Sequence, residues 1–247
     1  AEEVAPAPTQ KEIGATGDIE QAKTWAIKTA KSLKDMGINV NFAPVADVGS
    51  NDKRSYSTDA NTVIDFVRAA TKGYQQENII YSLKHFPGIG KGKVDSHIDS
   101  SSIDVAKEVL MTEDILPFKT IIDESDPNDY FILVSHLKYL ALDEEYPASL
   151  SSKIMTDLLR NELGYKGIII TDDMEMGAVA NHNDFRSIGV NAVKAGADIV
   201  LVCHEYEHQQ EVYLGLLDAV NNGEISQERI DESIKRIIKV KLLHLYQ

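Results

Sequence analysis

Asp95 and His97 stand two residues apart in the stretch KHFPGIGKGKVDSHID, which runs from Lys84 to Asp99. In loop or extended backbone such a pair points the same way, whereas on a helix it diverges. A carboxylate beside an imidazole holds one ring nitrogen, fixes the tautomer and strengthens the ring's hold on its proton, which makes a general acid/base for neutral pH. A lone Asp-x-His is more often a solvated loop pair, but here Gly88, Gly90 and Gly92 precede it. Those glycines let backbone come close to a ligand, and the pair reads as an acid/base carried on a loop. Two further doublets invite chemistry: Asp172 and Asp173 end the apolar run GIIITDD, and Lys84 and His85 end IIYSLKH. Ionisable neighbours at the tip of a buried strand are costly to desolvate unless they have partners or a task.

The elements that must position these residues follow one repeating pattern: an amphipathic helix, a glycine, then a short β-branched run. Asp18 can cap a helix with Gln21 three residues on, Ile19, Ala22, Ala26, Ala30 and Leu33 share one face, and Gly37 ends it before the strand NVNFAPV. The cycle returns as a helix around 62–75 with IIYSLKH, and as a helix around 105–122 with YFILVSH. It recurs in SSKIMTDLLRNELGYKGIIITDD, where Gly164 ends the helix, and in NAVKAGADIVLVCH, before two helices near 205–221 and 226–244. The five apolar runs are nearly continuous, as in parallel strands covered on both faces, and the intervening helices supply crossovers. The class is α/β, with a doubly wound sheet and a β/α barrel equally open on periodicity. In either, the carboxyl ends of the strands form the site. Those ends carry Asp47, Lys84 and His85, Ser135 and His136, Asp172 and Asp173, and His204.

Composition narrows the partners. The chain has 247 residues, 43% hydrophobic and 26% charged, enough for a substantial core. A formal charge of −14 argues against nucleic acid or an anionic membrane as partner, since both call for a basic footprint. No apolar run is long enough for a membrane span. The single cysteine, Cys203, forms no intrachain disulfide and leaves both a cytoplasmic and an exported location open. The opening AEEVAPAPTQ reads as a linker or trimmed end.

The segments NVNFAPVADV, RSYS, KHFPG followed by DSH, VSHLKYLALDEEYPASLS, GIIITDDMEMGAV and ISQERIDESIKRIIKVK together resemble the catalytic domain of glycoside hydrolase family 3, in its bacterial β-N-acetylhexosaminidase branch. The resemblance is collinear over nearly the whole chain. It implies a modified (β/α)8 barrel of TIM type, with residues 1–247 as one N-terminally truncated catalytic domain. It implies a retaining glycosidase that removes terminal β-linked N-acetylglucosamine-type sugars, with cell-wall fragments as their source. Asp172 matches the family nucleophile and His97 the acid/base, with Asp95 as its partner. Arg54, Lys84 and His85 fall on sugar-binding positions, and Asp47 and His136 are taken as further substrate contacts. No metal or organic cofactor is implied.

Two departures stand out. After KHFPG the family has a polar cluster where this chain has Ile89, Gly90, Lys91, Gly92 and Lys93. The family's first strands, with an acidic sugar-gripping motif, have no counterpart, so about five βα units are visible where a barrel has eight. The expectation is that a further N-terminal segment or a second copy closes the gap. Two alternatives to hydrolysis remain: a non-catalytic sugar-binding or interaction module, and a phosphorylase, since a histidine acid/base does not repel phosphate as a carboxylate would.

Overall fold

The structure is a computed structural model that describes residues 7–49, 54–92, 101–181 and 184–245. It contains two compact units, one built from 1–91, 108–132 and 240–247, the other from 92–107 and 133–239. Among the described residues the main sheet has the strand order β1-β2-β4-β6-β7. These are Val40–Asn41, Ile80–Phe86, Tyr130–Val134, Ile168–Asp173 and Ile199–Leu201. A separate parallel pair joins β3 (Ser102–Ile103) to β5 (Lys138–Tyr139). No helix among the described residues is long and apolar enough to cross a membrane.

In the first unit, α1 (Gln10–Ala15) leads into α2 (Ile19–Asp35), which Asp18 caps by accepting from the N–H of Glu20. Its buried stripe is Ala22, Ala26 and Ala30, whereas Ile19 is 42% exposed. The small residues let α3 (Ala60–Gln76) come close. A Cβ on Gly73 of α3 would lie 2.7 Å from both the Ala26 Cβ and the Lys23 carbonyl oxygen, so only glycine fits that crossing. Strand β1 is shorter than NVNFAPV suggests. Pro44 has no N–H to give a ladder, and pairing resumes only at an isolated bridge between Val45 and Lys84. The helix expected over 105–122 is likewise two, α4 (Lys107–Thr112) and α5 (Leu116–Glu124), with Pro117 in the first turn of the second.

Three phenols run through this unit's core. Tyr81 of β2 stacks on Tyr130 with ring centroids 5.2 Å apart and on Tyr74 of α3 at 6.3 Å. Burial pushes the Tyr74 pKa up to about 12 and moves those of Tyr56, Tyr81 and Tyr130 upward too. A phenol with a raised folded pKa supports the fold below the ordinary tyrosine value of about 10, and that support is lost as pH climbs from there. Alkaline titration should therefore show the phenolate absorbance of these four growing together with loss of circular dichroism. Phenolate growth complete before any unfolding would contradict this.

In the second unit, β6 pairs in parallel with β7, Ile170 opposite Ile199 and Asp173 opposite Leu201, with a register shift between them. A 3-10 turn (Ala148–Leu150) and a π-wound helix (Lys153–Glu162) precede β6, and the helix buries Ile154, Met155, Leu158 and Leu159. The short α6 (Gly177–Ala180) and then α7 (Phe185–Ala195) follow β6; α8 (Tyr206–Asn221) and α9 (Gln227–His244) follow β7. Helices α7 and α8 pack tightly because Gly215 has no Cβ; one would sit 2.3 Å from the Arg186 carbonyl oxygen. The apolar centre between them is Val190, Val193, Ala219 and Ile225. Strand β7 is only half-buried, and an apolar groove of about 430 Å³ lies along it against Val212, Leu216, Ile230 and Ile234.

Candidate active site

Each unit places its own set of the residues singled out above. In the first, Asp47 and His85 are both buried. Asp47 Oδ1 accepts from the backbone N–H groups of His85 (3.1 Å) and Ile89 (2.9 Å), and Oδ2 lies 2.8 Å from His85 Nδ1. The carboxylate is thus an organiser of the strand end, tying β2 to the loop beyond it. With Nδ1–H given to Asp47, the neutral His85 ring has Nε2 as its acceptor. Lys84 is half-buried on β2 and its carbonyl accepts from Ala46 N–H, while Arg54 is exposed. The loop cation Lys91 is tied down: its Nζ bonds Asp114, a fully buried carboxylate, and Glu113 at 2.9 Å. Gly88, at φ 117°, fits beneath it because a Cβ would come 2.9 Å from the Asp114 carbonyl oxygen.

In the second unit, β6 ends in Asp172 and Asp173, which the structure treats differently. Asp173 is buried, with Oδ1 accepting from the N–H groups of Glu175 and Cys203, both at 3.2 Å, and Oδ2 lying 3.0 Å from His204 Nε2. Asp172 is half-buried and, among the described residues, accepts one hydrogen bond, from the Asp173 N–H to Oδ1 at 2.9 Å. One aspartate is therefore spent on holding two loops together, and the other keeps Oδ2 without a hydrogen-bond partner among the described residues. His136 braces the same corner from β4's end. Its Nε2 donates to the Asp173 carbonyl oxygen at 2.8 Å, which makes Nδ1 the acceptor from Ser149 Oγ at 2.7 Å. Both ring nitrogens are thereby engaged within the protein.

Glu175 and His208 were not singled out from the sequence. Desolvation opposes ionisation of Glu175, but His208 and the backbone N–H groups of Glu205, His204 and Cys203 outweigh it and bring its pKa down to about 2. Glu175 Oε1 meets His208 Nδ1 at 2.7 Å and the Glu205 N–H at 2.8 Å, and the His208 ring stacks on Phe185 with centroids 3.7 Å apart. The available signal was the acid two residues beyond Asp173 together with the i, i+4 histidines of HEYEH. Cys203 is exposed; partial desolvation, then the charges of Asp173, Glu175 and Asp172, push its thiol pKa up. Among the described residues Asp173, Glu175 and His204 could each offer a metal one ligand atom, all within 4.8 Å of one another, although backbone N–H groups already occupy both carboxylates. Asp95 and His97 lie outside the described residues.

The fold is α/β with a parallel sheet, of the (β/α)8 type and incomplete, and in each unit the polar side chains singled out above lie at the carboxyl ends of its strands. Residues 2–240 match the profile of the glycosyl hydrolase family 3 N terminal domain, and the chain belongs to that family. It is 34% identical over 256 residues to beta-hexosaminidase A of Pseudoalteromonas piscicida, covering 93% of this chain and 42% of that protein. To a beta-hexosaminidase of Xanthomonas campestris pv. campestris it is 31% identical, covering 76% of this chain and 57% of the other. A family 3 beta-N-acetylglucosaminidase from Paenibacillus sp. str. FPU-7 superposes with a TM-score of 0.93 at 36% identity, over 97% of this chain and 46% of that one. The chain thus spans about half the length of these relatives.

Proposed function

We propose that this chain carries the catalytic aspartate of a retaining glycosidase that removes terminal β-linked N-acetylglucosamine-type sugars, with peptidoglycan fragments as their source. The observation that supports it best is the unequal pair at the end of β6: Asp173 held by two backbone N–H groups and by His204, Asp172 beside it with a single bond among the described residues. In this reading an Asp172 carboxylate oxygen attacks the anomeric carbon as the glycosidic C–O bond breaks. His97 delivers its proton to the departing oxygen, leaving a glycosyl ester. His97, held by Asp95, then takes a proton from water, whose oxygen displaces Asp172 and returns the anomeric centre to its original configuration. Arg54, Lys84 and His85 are assigned to sugar hydroxyls, with Asp47 fixing the His85 tautomer.

The test is a p-nitrophenyl N-acetyl-β-glucosaminide incubated with the full chain, with and without inorganic phosphate, while the first-formed product is followed by proton NMR. Free sugar appearing first as the β-anomer, at a rate indifferent to phosphate, is the expected result. A sugar 1-phosphate would instead identify a phosphorylase, first-formed α-anomer would exclude the double displacement, and binding without turnover would leave a sugar-binding module.

A further inference from the structure

At the opposite end of β6 and β7 from Asp172 lies a concentration of positive charge that the glycosidase reading does not use. Asp198, directly before β7, has a side chain with no exposed surface. Its Oδ2 accepts from the Ile169 N–H at 3.0 Å and from Arg160; its Oδ1 accepts from Ser233 Oγ at 2.6 Å and from Arg236 Nη1 at 3.0 Å. Arg229 Nη1 stands 3.6 Å from the same oxygen. Three guanidiniums, only 11%, 21% and 27% exposed, therefore surround one carboxylate. Carbonyl oxygens relieve part of the imbalance: Arg160 donates to those of Tyr165 and Gly167, and Arg229 to those of Val193 and Ala197. Burial first, and then repulsion from Arg236, still hold both Arg160 and Arg229 below the usual arginine range.

Arg236 differs from the other two. Among the described residues its one charge partner besides Asp198 is Glu232, at 3.7 Å and 60% exposed. A cavity of about 380 Å³ opens here, lined by Arg160, Arg229, Arg236, Lys166, Lys194 and Glu232. Lys194 is paired with Glu224 at 2.9 Å, while Lys166 stands exposed at the rim. Five cations around one cavity run against the composition of a chain whose net charge is −14. A guanidinium fork matches two oxygens of a tetrahedral oxyanion; Arg160 and Arg229, whose nitrogens already donate within the protein (Arg229 Nη1 also to Ser233 Oγ at 2.6 Å), add charge, and Arg236 supplies the fork, so that the partly desolvated cavity favours a multiply charged ligand over chloride.

We propose that this cavity binds a phosphate group, either as the free ion or as an exposed monoester. Four residues of β6, Ile168 to Thr171, at about 3.3 Å each, lie between this end of the strand and Asp172, so occupancy acts on the stability of the unit and leaves turnover unchanged.

Thermal unfolding of the full chain, with ionic strength held constant by sodium chloride, and equilibrium dialysis of labelled phosphate test this together. Inorganic phosphate should raise the melting temperature saturably, by about 4 °C at a tenfold excess over its Kd. Arg236→Gln should weaken binding about tenfold or more by removing a charge and a fork. Glu232→Gln removes a competing exposed carboxylate and should tighten binding about threefold. An arginine cluster with a purely architectural role predicts no gain from that second variant, which, being on the surface, reads out even if Arg236→Gln fails to fold. Glycerol phosphate binding as well as the free ion extends the site to monoesters; binding of the free ion alone confines it to inorganic phosphate, and both uphold the site. The same thermal response to chloride, or unchanged phosphate affinity in Glu232→Gln, overturns it.

Discussion

Asp172→Ala is expected to remove essentially all turnover of an aryl N-acetylglucosaminide, a fall on the order of 10⁵ in kcat, comparable to deletion of a nucleophile in other covalent enzymes. Asp173→Asn behaves differently, because an amide oxygen can still accept from the N–H groups of Cys203 and Glu175 that now bind Oδ1. That variant should keep a measurable fraction of activity. Inactivation with a 2-fluoro glycoside followed by peptide mass spectrometry gives the direct answer, since the fluorine slows hydrolysis of the ester and traps it. The added mass belongs on Asp172. Finding it on Asp173, Glu175 or any other carboxylate would sink the assignment and the mechanism built on it.

His97→Ala should slow turnover of glycosides with poor leaving groups by about 10² to 10⁴, the range expected when proton transfer to the departing oxygen is lost. Activated aryl glycosides depart as stable phenolates and should lose far less in the glycosylation step. Asp95→Ala should show the same pattern in milder form, because the imidazole survives and only its orientation and proton affinity change. The readout is the slope of log kcat/KM against leaving-group pKa, which should steepen in His97→Ala. An equal loss across the series would make His97 a binding or architectural residue and leave the acid/base unassigned.

The strand runs IIYSLKH, YFILVSH and GIIITDD were legible because parallel strands covered on both faces are apolar without alternation, and the last two helices fell close to where their periodicity placed them. Barrel and doubly wound sheet were not separable that way, since both bury their strands alike. Pro44 and Pro117 stand inside the segments read as one strand and one helix, and there the observed elements are shorter. The carboxyl ends of the strands were a sound guide to where polar groups collect. Periodicity could not show that Asp47 and Asp173 are held by backbone N–H groups, because those bonds depend on how loops fold back. The Asp198 cluster was hidden for a related reason: its arginines lie 38, 31 and 38 positions away, and each alone looks like an ordinary helix-surface cation.

The position of Cys203 gives the chain a built-in voltmeter. Its thiol is exposed, it is the chain's single cysteine, and its ionisation is suppressed by partial desolvation and then by the charges of Asp173, Glu175 and Asp172. In the proposed mechanism, conversion of Asp172 to a glycosyl ester would delete the weakest of those three charge influences and leave the other two in place. The expected result is a modest rise in the thiolate fraction, and with it in the rate of reaction with a small uncharged alkylating reagent, while the sugar is attached. On the proposed mechanism, reaction at this one sulfur would follow the lifetime of the covalent intermediate without any introduced label.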